Sequence, residues 1–354
     1  MKKQLMCILA LTLGLVSLTG CVGTPVVYGP AMEQETSQED ETNSNKTSAA
    51  EEGDLKTGLA VVTNVANSES AKQAEYDVTL VAVLVDDQGV IADCIIDGVK
   101  TNVAFDETGT ITSDLTAEIS SKNELGDNYG MVAYGGAKYE WNEQADALAK
   151  FAVGKTVEEL KNGAIDETGK APEGSDLAST ATIYLGGYVS AIEEAVNNAD
   201  YIGAQAGDQL KLASLSSIDS SQNASEEQEG IAQLDCDVTA LTQKDGVITS
   251  CVIDSVQAKV NFDQTGTIST DLTAPVQTKN QLGENYGMVA WGGAIAEWNE
   301  QAASFAAYVT GKTIDEVQTI AVNEKTAPTE ADLASSVTIA IGGFQDLVAK
   351  AMQQ

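Results

Sequence analysis

Residues 76–85 read Tyr-Asp-Val-Thr-Leu-Val-Ala-Val-Leu-Val, a β-rich run that stops at Asp86-Asp87-Gln88-Gly89 and resumes over residues 90–97. The pattern returns over residues 236–243, breaks at Lys244-Asp245-Gly246, and resumes over residues 247–254. Two such runs around a turn with Gly where positive φ is needed predict a β-hairpin in each place. A third strand is expected over residues 101–105 and 258–262, closed by Thr-Gly-Thr turns at Thr108 and Thr265. The period then changes: Trp298, Ala302, Phe305 and Val309 fall at i, i+4, i+7 and i+11, one apolar stripe of a helix. Gly154 and Gly311 are expected to end that helix in each half, and Thr156-Val157-Glu158-Glu159 and Thr313-Ile314-Asp315-Glu316 read as capping boxes that start the next. A strand follows a polar turn, beginning in Asp176-Leu177-Ala178-Ser179-Thr180-Ala181-Thr182 and in Asp332-Leu333-Ala334-Ser335-Ser336-Val337-Thr338. A closing helix is expected over about residues 188–197 and 344–352.

These elements occur twice because the chain is duplicated. NELGDNYGMVAYGGAKYEWNEQA at residues 123–145 returns as NQLGENYGMVAWGGAIAEWNEQA at 280–302, identical at 18 of 23 positions. The offset of 157 also lays Cys94 on Cys251, Asp97 on Asp254 and Phe105-Asp106 on Phe262-Asp263. So long a period is a domain, not a solenoid repeat. The expected fold class is α+β, with two tandem homologous domains over residues 55–200 and 201–354, each a small antiparallel sheet packed with helices around its own core. Residues 200–230 read as a joining segment partly ordered as the second copy's first strand. Gly126, Gly130, Gly135 and Gly136 make the first half of the repeated block a loop.

A formal charge of −34 repels a phosphate backbone, so nucleic acid is not an expected partner. The chain has no histidine, which removes Ser-His-Asp and Cys-His triads and His-containing zinc sites. At the amino terminus Lys2 and Lys3 precede an apolar run over residues 5–18 that closes on Leu18-Thr19-Gly20-Cys21. This has the form of a bacterial lipoprotein signal over residues 1–20 and resembles a lipobox, which implies lipid on Cys21. The expected location is the outer face of the bacterial membrane, held by acyl chains. Residues 21–54 are polar and acidic without apolar periodicity and read as a disordered tether. Cys94 and Cys251, equivalent by repeat, read as small buried strand residues rather than half of a disulfide framework. Gly-Lys-Thr at residues 154–156 and 311–313 is no phosphate loop, since Ala149 and Ala306 stand inside a helix where a Walker motif needs glycine.

The two heptads carry a family resemblance. Asp-x-x-Ser-x-Ala-Thr resembles the attachment motif of FMN-binding domains of the NqrC and RnfG type, found also in extracytosolic flavoprotein lipoproteins. In that family a flavin transferase joins FMN through its phosphate to the motif's threonine. The resemblance implies Thr182 and Thr338 as acceptors, flanked by Asp176, Ser179, Asp332 and Ser335, and a function in extracytosolic electron transfer with an envelope redox partner. Thr180 and Ser336 stand where the family has Gly, and Val337 where it has Ala. Tyr134 and Trp291, with Tyr129, Trp141, Tyr286 and Trp298, could stack on a flavin ring. Two alternatives remain: a non-catalytic surface lipoprotein that binds a sugar or peptide in a pocket around Tyr134 and Trp291, and a hydrolase using Glu140 with Glu143 and Glu297 with Glu300, each pair one helical turn apart.

Overall fold

The computed structural model describes residues 53–354; the expected signal segment, Cys21 and all but the end of the expected tether lie outside the described residues. The first copy opens with β1 (Lys56–Asn64), β2 (Gln73–Val85) and β3 (Ile91–Ala104), an antiparallel sheet in the order β1-β2-β3. The expected hairpin joins β2 to β3, with Gly89 at φ 78° in its turn. β3 also absorbs the separate strand expected over residues 101–105, because Gly98 stays paired with Thr79. A single glycine weakens a ladder without ending it.

Helices follow: α1 (Lys122–Leu125), a 3-10 turn (Gly126–Tyr129), α2 (Trp141–Ala152), α3 (Val157–Ala164), α4 (Asp176–Thr180) and α5 (Gly186–Asn197). The second copy repeats the plan with β4 (Gln209–Ser217), β5 (Gly230–Lys244) and β6 (Val247–Phe262). Then come α6 (Lys279–Leu282), a 3-10 turn (Gly283–Tyr286), α7 (Met288–Gly292), α8 (Trp298–Val309), α9 (Ile314–Gln318), α10 (Ala331–Ala334) and α11 (Gly342–Gln353). The expected α+β class is what forms. Among the described residues no helix is long and apolar enough to cross a membrane.

Helix boundaries follow local chemistry. Thr156 and Thr313 accept from the backbone of Glu159 and Glu316 in complete capping boxes, and Gly154 and Gly311 take φ 79° and 86° after α2 and α8. The heptads correct an expectation. Their first residues form the short helices α4 and α10 rather than the start of a strand: Ser175 caps Ala178 in the first copy, and Thr180 and Ser336 return their hydroxyls to the carbonyls of Leu177 and Leu333.

Each sheet is covered on both faces over part of its length. Along β2, Val78, Leu80, Ala82 and Leu84 enter one core while Val81, Val83 and Val85 enter another, so residues 80–85 are continuously apolar, whereas Gln73, Glu75, Asp77 and Thr79 alternate with buried residues on a half-exposed face. The outer core of the first copy lies under α2, α3 and α5 (Leu148, Leu160, Ile192), and that of the second under α8, α9 and α11 (Phe305, Val317, Leu347). The inner core is shared. Leu80, Val99 and Phe105 meet Leu234, Val238 and Phe262 across the two sheets, so the separate core expected for each copy is replaced by a helix-sheet-sheet-helix stack.

The seam is reciprocal. Phe105 and Phe262, equivalent by repeat, stack on each other with centroids 4.0 Å apart and planes 2° from parallel. Ala71 N donates to Gly266 O (2.7 Å) and its counterpart Ala224 N to Gly109 O (2.9 Å). Thr63 bridges Val276 and Ser216 bridges Ile119. The ring stack maps onto itself and each of the other contacts in this set occurs twice with the copies exchanged, as across a two-fold axis.

Candidate functional site

The repeated block is built outward from a buried carboxylate. Asp97 on β3 accepts from Gly98 N (2.7 Å) and Asn123 N (3.0 Å), while Asn123 Nδ2 donates to Ile96 O (3.0 Å), so the start of α1 is bolted to the sheet. Asp254 and Asn280 repeat this on β6, with Ser255 N at 2.7 Å and Asn280 N at 3.1 Å. Burial pushes the Asp97 carboxyl above its usual range against the hydrogen bonds from Ser121, Asn123 and Gly98. Asp254 is pushed up to about 6 by burial, against bonds from Thr278, Asn280 and Ser255.

The glycine loop hangs from a second buried carboxylate. Glu140 accepts from Met131 N (2.8 Å) and Val132 N (2.9 Å), and Glu297 accepts from Met288 N (2.8 Å) and Val289 N (3.0 Å). Each also caps its helix in a reciprocal box with Glu143 or Glu300. These carboxylates are occupied by backbone N–H groups and capping, so the paired-acid arrangement of a hydrolase is not what they form.

One turn further, Gln144 is fully buried on α2 and joins the loop to the heptad. Its Nε2 donates to Tyr139 O (2.9 Å), and its Oε1 accepts from Thr182 N (2.8 Å), Thr182 Oγ1 (3.1 Å) and Ile183 N (3.2 Å). Gln301 does the same with Ala296 O, Thr338 and Ile339. Two features separated in sequence thus meet at one amide. Lys138 adds a cation beside the first heptad, its Nζ 3.4 Å from Ser179 O, where the second copy has Ile295.

Thr182 and Thr338 are exposed, as are Asp176, Ser179, Asp332 and Ser335. Ser179 and Ser335 donate to Asp176 O (2.6 Å) and Asp332 O (2.8 Å) within their own short helices. The motif's Ala position is interior, Ala181 and Val337 both being buried, so its change between copies is a matter of packing. A phosphate ester fits the threonine oxygens in reach. It would displace the hydroxyl hydrogen from Gln144 while two backbone N–H groups still hold the segment.

The aromatic residues divide. Trp141 and Trp298 are core residues, 3% and 6% exposed, and Trp141 Nε1 donates to Tyr188 OH (3.0 Å). Tyr129 and Tyr286 are half-buried, whereas Tyr134 and Trp291 are 92% and 83% exposed. Tyr134 and Trp291 therefore stand on a convex loop tip, not in the pocket expected around them. Sequence reasoning missed Glu140, Gln144 and their counterparts as organisers; their exact repetition was the available signal.

Cys94, Cys236 and Cys251 are free and buried, and burial pushes the Cys236 and Cys251 thiols up to about 12. A cleft of about 470 Å³ beside α8 is lined by Ile202, Cys251, Ile253, Ala303, Ala307 and Thr310, and by neither Thr338 nor Trp291. Among the described residues no group of His, Cys, Asp or Glu is placed to hold a metal ion. No protein-family model, curated protein or solved structure matches the chain.

Proposed function

We propose that the protein is a two-headed flavin carrier of the cell envelope, lipid-anchored through Cys21 and esterified with FMN at Thr182 and Thr338 by a flavin transferase that cleaves the diphosphate of a flavin adenine dinucleotide, each threonine hydroxyl losing its proton as AMP leaves. The observation that supports this reading is that both threonines are exposed while a buried glutamine fixes their backbone to the helix that carries the aromatic loop. An acidic surface attracts an anionic nucleotide poorly, so a covalent link is the effective way to retain one outside a cell. Bound flavin would supply the redox chemistry. The chain's part is to present a reachable hydroxyl and hold it still through Gln144 or Gln301, with Lys138 against Ser179 of the first heptad.

Co-expression of the full chain with a flavin transferase tests this. Intact mass is expected to rise by one FMN residue per copy, and the protein to stay yellow after denaturation. Thr182→Ala and Thr338→Ala should each remove one flavin. A mass unchanged by the transferase overturns the reading.

A further inference from the structure

The tips Val132-Ala133-Tyr134-Gly135-Gly136, a turn, and Val289-Ala290-Trp291-Gly292-Gly293, wound into α7, are exposed at every position, yet they differ only by an aromatic exchanged for an aromatic. Packing inside the protein does not require this identity, because these side chains meet little of it. Large apolar surface left in water costs free energy that a solvated polar residue would avoid. A contact outside the chain is the remaining physical reason for such a tip.

The tip is also rigid. Tyr134 N donates to Gly130 O (2.9 Å) and Ala137 N to Met131 O (3.0 Å), with Trp291 N to Gly287 O (3.0 Å) and Ala294 N to Met288 O (3.1 Å) in the second copy. Gly130 and Gly287 both take φ 83°. Each ring lies over its glycine so closely that a Cβ there would come within 2.6 Å of Tyr134 and 2.3 Å of Trp291. Glu140 and Glu297 anchor the backbone beneath each ring, which touches its glycine along one edge and otherwise stands in solvent.

We propose that Tyr134 and Trp291 are stacking platforms for an uncharged polysaccharide chain. One exposed ring with a half-exposed valine beside it (Val132 and Val289, both 44%) is far smaller than the roughly 800 Å² per partner of a stable protein interface. It matches the C–H face of a single sugar ring, which packs flat on an aromatic face. The charge of −34 selects against nucleic acid, anionic lipid and acidic glycans. Two platforms on one chain suit a polymer that repeats its own unit. The proposal does not rest on the flavin reading.

Trp291 reports on it directly, because Trp141 and Trp298 are buried. The full chain is titrated with hydroxyethylcellulose, xylan and galactomannan, following tryptophan emission and retardation in gels that contain each polymer. At least one polymer is expected to shift the Trp291 emission to the blue, protect it from acrylamide and retard the protein. Tyr134→Ala and Trp291→Ala should each weaken retardation about tenfold or more, and the double variant should migrate as in plain gel with an unchanged melting temperature. Thr182→Ala with Thr338→Ala should leave retardation intact, which separates this result from the fate of the flavin proposal. No response to any of the three polymers overturns the proposal, as does a blue shift produced only by phosphatidylcholine vesicles.

Discussion

Around Lys122, which is buried, and its half-buried counterpart Lys279 the two copies differ in an informative way. Lys122 is 3% exposed, sits 2.8 Å from Asp77 Oδ1, and lies over the rings of Trp141 and Tyr129 at 4.9 and 5.7 Å. Lys279 keeps the ring contacts, with Trp298 and Tyr286 at 4.8 and 5.5 Å, but Asp235, in the place of Asp77, takes Gln233 and Gln257 as partners instead. Gly98 makes the difference possible, since a Cβ there would press to 3.3 Å on Lys122 Cδ; the second copy has Ser255. On the outer face of α2 an Asp146–Lys150 ion pair stands where α8 has Ala303 and Ala307. By contrast the bonds of Glu140, Gln144 and Asp97 recur in the second copy within 0.1 Å of the same lengths. An exposed ion pair such as Asp146–Lys150 is worth little and can drift. A buried acceptor that serves two or three backbone N–H groups cannot, because its loss leaves all of them unpaired.

The largest predicted effect tests how separable the copies are. Phe105→Ala should cost about 3–5 kcal/mol, as core aromatic truncations do. Because its ring is shared with Phe262, calorimetry should show one lowered transition for both copies. A second, unshifted transition would mean that the copies melt independently. Next, Gln144→Leu removes the partners of Thr182 N, Ile183 N and Tyr139 O and should cost about 2–4 kcal/mol in urea denaturation. Gln301→Leu should match it within about 1 kcal/mol, and a loss in only one copy would break the equivalence of the two clamps.

A smaller effect concerns pH. The Asp254 carboxyl rises from 3.8 to about 6 on folding, so between those values the native state holds a proton that the unfolded chain has released. Stability from this group is therefore present below about pH 4 and is lost as pH rises through about 6. Asp254→Asn keeps an acceptor without the charge. The variant should gain on the parent by on the order of 2 kcal/mol between pH 4 and pH 6, measured by denaturant titration at each pH. Asp97→Asn should show the same sign. A parent-to-variant difference that stays flat with pH would sink the assignment.

Local chemistry was legible in the chain, and long-range pairing was not. The hairpin turn at Gly89, the capping boxes at Thr156 and Thr313, and the stripe of Trp298, Ala302, Phe305 and Val309 each depend on neighbours a few residues away. The strand expected at the heptads failed because Ser175, Thr180 and Ser336 bind their own backbone, a local competition that favours a helical turn. That Val81 and Leu80 serve different cores is written in the unbroken apolar run of β2, but its second cover lies in the other copy. Gln144 reads as an ordinary helix polar residue; only the fold brings Thr182 onto its amide, 38 residues away. The exposed threonines were legible as a motif, while the convexity of Tyr134 and Trp291 depends on glycine geometry and the Glu140 anchor.

The stacked pair of Phe105 and Phe262 has a historical consequence. A surface on which Phe105 meets its own twin and the contacts around it are exchanged between the copies is self-complementary, so a molecule holding a single repeat would carry the whole of its mating face and would bind another molecule like itself. Gene fusion of such a homodimer yields the present chain, with the joining segment adding bonds of its own from Leu55 N to Ala204 O and from Thr57 N to Asp200 O. It also frees each half to change alone, which is how one lysine could keep its aspartate while the other let go.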